Sequence, residues 1–203
     1  MMRFFVIMVF FNVLIMSSCT SQIDIEKLQY GENVVEVLKK VEDKKRDRDV
    51  QHGVLCYRTE ELDHFKYGDV TFSKYTVEDG YSSDYSYIDV YVDSYESNKY
   101  LGVTLQIANE KEAVRFINYL EKTKGEPEVL YSEEDINENF GKVYVWQDDI
   151  KDQVILLEQR SNIIKNDNRY IETRCVIAQK DVRVENSTNP DVFTLLEQFK
   201  MSY

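Results

Sequence analysis

Two prolines and seven glycines are all that this 203-residue chain contains. So few breakers exclude a long flexible linker and favour continuous folded structure. Histidine is scarcer still, with only His52 and His64. No GxSxG elbow, P-loop, HExxH or GxGxxG occurs, so the usual sequence signs of nucleophilic catalysis, phosphate cradling, zinc hydrolysis and dinucleotide binding are missing. His64 follows Asp63, but a sequence neighbour cannot by itself orient a triad. Both histidines read as surface or turn residues. No CxxC or HxxxH is present, so the cysteine and histidine spacings do not suit zinc. No metal, no cofactor and no enzymatic activity are expected.

Positive charge is the other shortage. Lysine and arginine total 25 against 37 acids, for a formal charge of −12. An acidic surface repels phosphate backbones and anionic headgroups, which argues against nucleic acid and direct lipid contact. A basic protein partner is compatible with it, and the charge also serves solubility. Aromatic residues make up 13% of the chain, with 15 tyrosines, and disordered chains are poor in them.

The long apolar run is confined to one place, residues 4–16, broken only by Asn12 and preceded by the single charge of Arg3. It has the length of a signal-peptide core and falls short of the roughly 20 residues a spanning helix needs. Met16, Ser17 and Ser18 then lead to Cys19. This pattern resembles the lipobox of bacterial lipoproteins, in which the cysteine thiol is acylated and the chain is cut before it. The new amino terminus in that family carries a further acyl group. The resemblance implies a signal peptide over 1–18, lipidation at Cys19 and anchoring in the bacterial cell envelope. Thr20 in place of an aspartate makes the outer membrane the preferred leaflet system. An ordinary secretory signal or an uncleaved anchor would use the same run differently. Cleavage would leave 203 − 18 = 185 residues and, with Arg3 removed, a charge of −13.

Residues 19–27 read as a polar tether and 28–203 as one globular region. Val34, Val35, Val37, Leu38 and Val41 fall at helical spacing and predict a helix over 32–46, fraying in its charged end. Strands are predicted at 53–59, 66–77, 85–94 and 100–107, the last two alternating apolar and polar residues. A helix over 109–124 follows, with Asn109 as cap, Glu112 completing a box and Gly125 as stop. Further strands are expected at 128–131, 142–147, 153–159 and 170–179. Asn189 and Pro190 predict the start of a last helix. The fold class is therefore α+β. Antiparallel sheet would carry helices on one face and leave the other face wet. The plan suggests two tandem units of one helix and four strands, divided near Ala108 and closed by a C-terminal helix.

That plan is similar to the tandem helix-plus-sheet fold of beta-lactamase-inhibitor-like proteins, which small outer-membrane assembly lipoproteins use at half size. The opening Leu28-Gln29-Tyr30-Gly31-Glu32-Asn33-Val34-Val35 resembles their glycine-then-helix start. The resemblance implies protein binding without catalysis.

Three groups of residues remain as candidates. Tyr87, Asp89, Tyr91 and Asp93 share one side of a strand, either as a face for a basic protein or as cover for the core. Cys56 and Cys175 are left over once Cys19 is lipidated, as a disulfide or as two buried thiols. Glu78, Asp79 and Asp84, and Glu133, Glu134, Asp135 and Glu138, lack the spacing of a calcium loop and read as solvated loops. Asn186-Ser187-Thr188 matches a glycosylation sequon without the context to use it. The expected role is an envelope lipoprotein acting as a protein-binding module, as an inhibitor or immunity protein for a cationic partner. The alternative is an accessory lipoprotein of an envelope assembly.

Overall fold

The computed structural model describes residues 22–133 and 140–203. Among them are eleven strands and three α-helices. A small sheet joins β1 (Ile23–Asp24), β4 (Phe65–Tyr67) and β5 (Val70–Thr71). An eight-stranded sheet takes β2 (Lys44–Arg48), β3 (Leu55–Thr59), β6 (Tyr87–Val92) and β7 (Tyr100–Ile107) from the first part of the chain. The second part supplies β8 (Glu128–Glu133), β9 (Gly141–Asp148), β10 (Gln153–Ile163) and β11 (Arg169–Gln179). The order is β2-β3-β6-β7-β11-β10-β9-β8, and every neighbouring pair is antiparallel. The fold is thus α+β, and the halves of its large sheet come from either side of Ala108.

Meeting at β7 and β11 sends β8 to the far edge. The chain must therefore cross half the sheet, and α2 (Glu110–Lys124) makes that crossing. Its fifteen residues span about 22 Å, close to the four strand spacings of about 19 Å between β7 and β8. Asn109 caps the helix by accepting from the amides of Lys111 and Glu112. The Glu112 carboxylate does not complete a capping box. It accepts from the amide and hydroxyl of Ser73 at 3.2 and 2.7 Å instead, tying the helix to the loop after β5.

The larger core lies between α2 and the near face of the sheet. Ala113, Phe116 and Leu120 face Ile88, Val90, Val103, Leu105, Ile107, Ile155, Leu157 and Ile177. The small sheet closes one flank, where Tyr67 and Phe72 meet Phe116 edge to face at 5.4 and 5.5 Å. Gly68 has φ +57°, and a Cβ there would lie 2.0 Å from the Tyr119 hydroxyl, so only glycine fits. Ile23 and Ile25 are buried in this core. The folded region therefore includes part of the expected tether, because two isoleucines on β1 and the turn after it gain more by burial than a solvated lead would.

The far face is not left wet. A second core joins Cys56, Tyr91, Val143, Val145, Val154, Leu156, Val176 and Ala178 of the sheet to Val54, Val182, Leu195 and Phe199. α3 (Leu195–Met201) forms its lid. Strands β9 to β11 are apolar on both sides for this reason, which the unbroken run Val154–Leu157 reflects.

Four local expectations are corrected. The helix expected over 32–46 is α1 (Val34–Val37) with a 3-10 turn at Leu38–Lys40, and Lys44–Arg48 becomes an edge strand. A run of charges there suits a sheet margin, where both faces and one edge meet water. The strand expected over 66–77 breaks at Gly68 into β4 and β5. The last helix starts at Thr194, which forms a full capping box with Glu197, while Asn189 accepts from the amide of Asp191 in a preceding turn. Strand β10 extends to Ile163, four residues past its expected end, because β11 pairs with it throughout.

Candidate interaction surface

The alternation read in β6 is present, but it does not make an exposed face. Ile88, Val90 and Val92 enter the larger core, while Tyr87, Asp89 and Tyr91 point to the far side and are buried there. Tyr91 lies within the second core, and its hydroxyl is hydrogen-bonded to Thr104. Asp93 stands beyond the strand end, where its carboxylate accepts from the amides of Ser94 and Lys99 and from the Ser97 hydroxyl. These four residues are cover and turn structure, because the β2–β3 hairpin and α3 close over the face that bears them.

Asp89 has no exposed surface. Arg58, one strand over, meets it with two parallel bonds of 2.8 Å from Nε and Nη2. The same guanidinium reaches Asp47 at 3.0 Å and stacks over the Tyr87 ring at 4.7 Å. Burial pushes the Asp89 carboxyl above its ordinary range, and the two bonds from Arg58 oppose that push. Burial likewise raises Tyr87 to about 12, so its hydroxyl stays neutral.

A second pair sits deeper. Arg174 of β11 bonds Asp49 at the head of the β2–β3 turn. The other oxygen of Asp49 accepts from the amides of His52 and Gln51 at 2.7 and 3.1 Å, which shapes the turn. His52 is buried rather than on the surface. Its Nδ1 lies 2.6 Å from Oε1 of Gln198 on α3, and its Nε2 has no hydrogen-bond partner. With the Gln198 amide so oriented, the contact fits the neutral tautomer that carries its hydrogen on Nδ1. The carboxylates and guanidiniums of this face therefore neutralise one another in pairs.

The expected alternatives for the two cysteines resolve as free, buried thiols. Cys56 belongs to the second core and Cys175 to the larger one, on opposite faces of the sheet. Three strand spacings separate β3 from β11, about 14 Å, and a disulfide needs Cα atoms within about 7 Å. Burial pushes both thiols well above the ordinary range, so neither is a ready nucleophile. Cys19 lies outside the described residues, as do Glu134, Asp135 and Glu138. Among the described residues no cluster of three or more histidine, cysteine or acidic side chains is placed to hold a metal. Asp84 caps its own loop, accepting from the Tyr81 amide at 2.7 Å. Asn186 is committed internally: it accepts from the Leu55 amide at 2.6 Å and donates to the Val92 carbonyl at 2.8 Å.

Of the hollows at the surface of the described residues, two flank β8. The larger, about 770 Å³, lies between the end of α2 and the β9–β10 hairpin. Lys124 there reaches Glu26 at 3.5 Å and Asp148 at 3.8 Å, and Trp146 donates to the Gly125 carbonyl at 2.8 Å. Its lining carries Glu26, Glu126, Glu128, Asp148 and Asp149 against Lys124 and Lys151. The smaller, about 260 Å³, lies beside β8 and is lined by Tyr131, Phe140 and Tyr203, with Glu158 and Arg160. Tyr203 bonds both of these charged groups. Near it, exposed apolar side chains gather on β8 and at the end of α3: Val129 is 54% exposed, Tyr131 43% and Met201 69%. The sequence offered little sign of this margin, since 128–131 is short and β8 acquires its place only when β9 pairs with it.

Comparison with protein-family models, with curated proteins and with solved structures finds no match.

Proposed function

We propose that this protein is a lipid-anchored, non-catalytic protein-binding module of the bacterial cell envelope. The observation that carries the reading is the contrast between its interior and the β8–α3 margin. Inside, Arg58 with Asp89 and Arg174 with Asp49 spend their charges on each other. At the margin, Val129, Tyr131 and Met201 present apolar surface beside acidic residues. Apolar side chains rimmed by charge are the ordinary composition of a contact surface.

Anchoring fits the way the chain meets its fold. Ile23 is already in the core, only four residues after Cys19. A lipid on Cys19 would hold the domain within about 14 Å of the membrane surface. Several acyl chains on one residue keep a protein on a bilayer far better than one. Among the described residues no helix is long and apolar enough to cross a membrane. The acidic balance makes a basic protein the favoured partner, with an inhibitor or immunity protein as the specific form.

The test is affinity capture of the detergent-extracted protein from its native cells, read by mass spectrometry. One stoichiometric basic partner is the expected result. Recovery of envelope-assembly components would instead make the protein an accessory subunit, and an empty capture would contradict the reading.

A further inference from the structure

The seven residues of α3 are too few for a helix that is stable alone, so contacts with the rest of the fold hold it. Leu195 and Phe199 are buried in the second core, and the Leu195 amide donates to the Val182 carbonyl at 3.0 Å. Gln198 of the same helix meets the ring of His52 in the β2–β3 turn. That turn is itself pinned. The Gly53 amide donates to the Asp49 carbonyl at 2.8 Å, and the Glu185 amide donates to the His52 carbonyl at 2.9 Å. Gly53 has φ +67°, and a Cβ there would lie 2.9 Å from Cγ of Glu185. Val50 of the turn is 76% exposed while His52 is 2% exposed, so water lies close to an enclosed ring.

The charges around the ring are already committed. Asp49 of the same turn gives one oxygen to Arg174 and the other to the amides of Gln51 and His52. Arg174 of β11 is a cation facing the ring, and around it stand Tyr87, Asp89 and Tyr91 of β6. Arg58 of β3 holds Asp89. Glu185 packs on the turn from the loop after β11. On α3, Gln198 is neutral, Lys200 is engaged with Glu128, and Tyr203 with Glu158 and Arg160. In the neutral tautomer that the Gln198 contact fits, a second proton goes to Nε2, which is buried and has no hydrogen-bond partner among the described residues. The result would be a second cation beside Arg174, with an N–H that no acceptor meets.

We infer that His52 is an acid-sensitive latch: protonation of its ring releases α3 from the far face of the sheet and opens the second core while the sheet itself stays folded. The charged ring gains solvation by leaving its enclosure, and a short terminal helix yields more readily than eight paired strands. Opening bares apolar side chains of the second core, Leu195 and Phe199 among them. Burial lowers the pKa of the enclosed ring, against the pull of the Gln198 bond and of Asp49, with Arg174 adding to the lowering. In the open form the ring meets water and takes its ordinary value of about 6.5. The closed form is therefore fully favoured above about pH 6.5 and loses ground as the pH falls through that value. Between about pH 7.5 and about pH 5.5, one proton taken up on opening raises the open fraction about tenfold. The latch is independent of the protein-binding reading above.

The experiment follows amide hydrogen exchange of the full chain in mild detergent at about pH 7.5 and about pH 5.5, corrected for the intrinsic pH dependence of exchange. Protection within residues 194–203 is expected to fall about tenfold in acid, and protection of β10 and β11 to stay as it is. His52→Gln keeps a polar side chain opposite Gln198 but takes up no proton, and it is expected to abolish the change. Gln198→Ala removes the contact from the helix side. It is expected to lower the protection of α3 already at pH 7.5 and to leave β10 and β11 unchanged. The wild-type pattern and Gln198→Ala keep the test intact if His52→Gln does not fold. Undiminished protection of α3 in acid, an equal loss across β10 and β11, or the same fall in a folded His52→Gln would overturn the inference. So would a Gln198→Ala helix as well protected as that of the wild type.

Discussion

His52 is enclosed between the turn that precedes β3 and Gln198 of α3. Burial lowers its pKa, against the pull of the Gln198 bond and of Asp49, with Arg174 adding to the lowering. A base whose folded pKa lies below its unfolded value of about 6.5 binds protons more readily once unfolded. The stability of the neutral, buried ring is therefore fully present above about pH 6.5 and is lost as the pH falls through that value. The thermal midpoint is expected to drop between about pH 7.5 and about pH 5.5, and His52→Gln to shrink that drop. Melting curves followed by circular dichroism measure both. An equal drop in the variant would place the acid sensitivity in other groups. Sequence pattern marked His52 only as a turn residue. Its burial depends on Gln198, which lies 146 positions away, and no local periodicity carries that information. Asp89 is similar. Its side of β6 was legible from alternation, but the cover over that side comes from Asp49, His52 and α3.

Among the elements, α2 and α3 show what local signals can and cannot fix. Asn109 and Gly125 bound α2 from sequence alone, because cap and stop lie within seventeen residues, but of the apolar stripe expected at Ala113, Val114, Phe116, Ile117, Tyr119 and Leu120 only Ala113, Phe116 and Leu120 are fully buried and Val114 is exposed. The start of α3 was expected at Asn189 and Pro190, and the structure places its cap at Thr194. Asn189 followed by Pro190 fits the entry of a helix, and Thr194 with Glu197 fits a capping box. The chain takes the second, since a start at 194 lays Leu195 and Phe199 into the core one helical turn apart. Thr194→Ala is expected to cost about 1 kcal/mol, and Asn189→Ala a few tenths at most. Urea unfolding of the two variants gives the comparison, and the reverse order would move the cap. The strand of charges at Lys44–Arg48 was illegible for a physical reason. Its extended form comes from pairing with β3 and from its place on an edge, while its composition alone reads as solvated chain.

At the scale of the molecule, the α+β class follows from patterns that each repeat several times along the chain. The joining of β7 to β11 does not, because nothing in either strand names the other. That pairing turns two runs of four strands into one sheet and sends β8 to an exposed edge. At the start of the described residues, Ile23 and Ile25 belong to the larger core. Under the lipid-anchor proposal, location depends on Cys19 and stability on the folded residues that follow it. The most direct measurement is membrane partitioning of the wild type and Cys19→Ala after a carbonate wash, with the unfolding midpoint of each. The account predicts wild type in the membrane fraction, the variant released, and the same midpoint for both. A variant that stays with the membrane would contradict the lipid anchor on which the account depends.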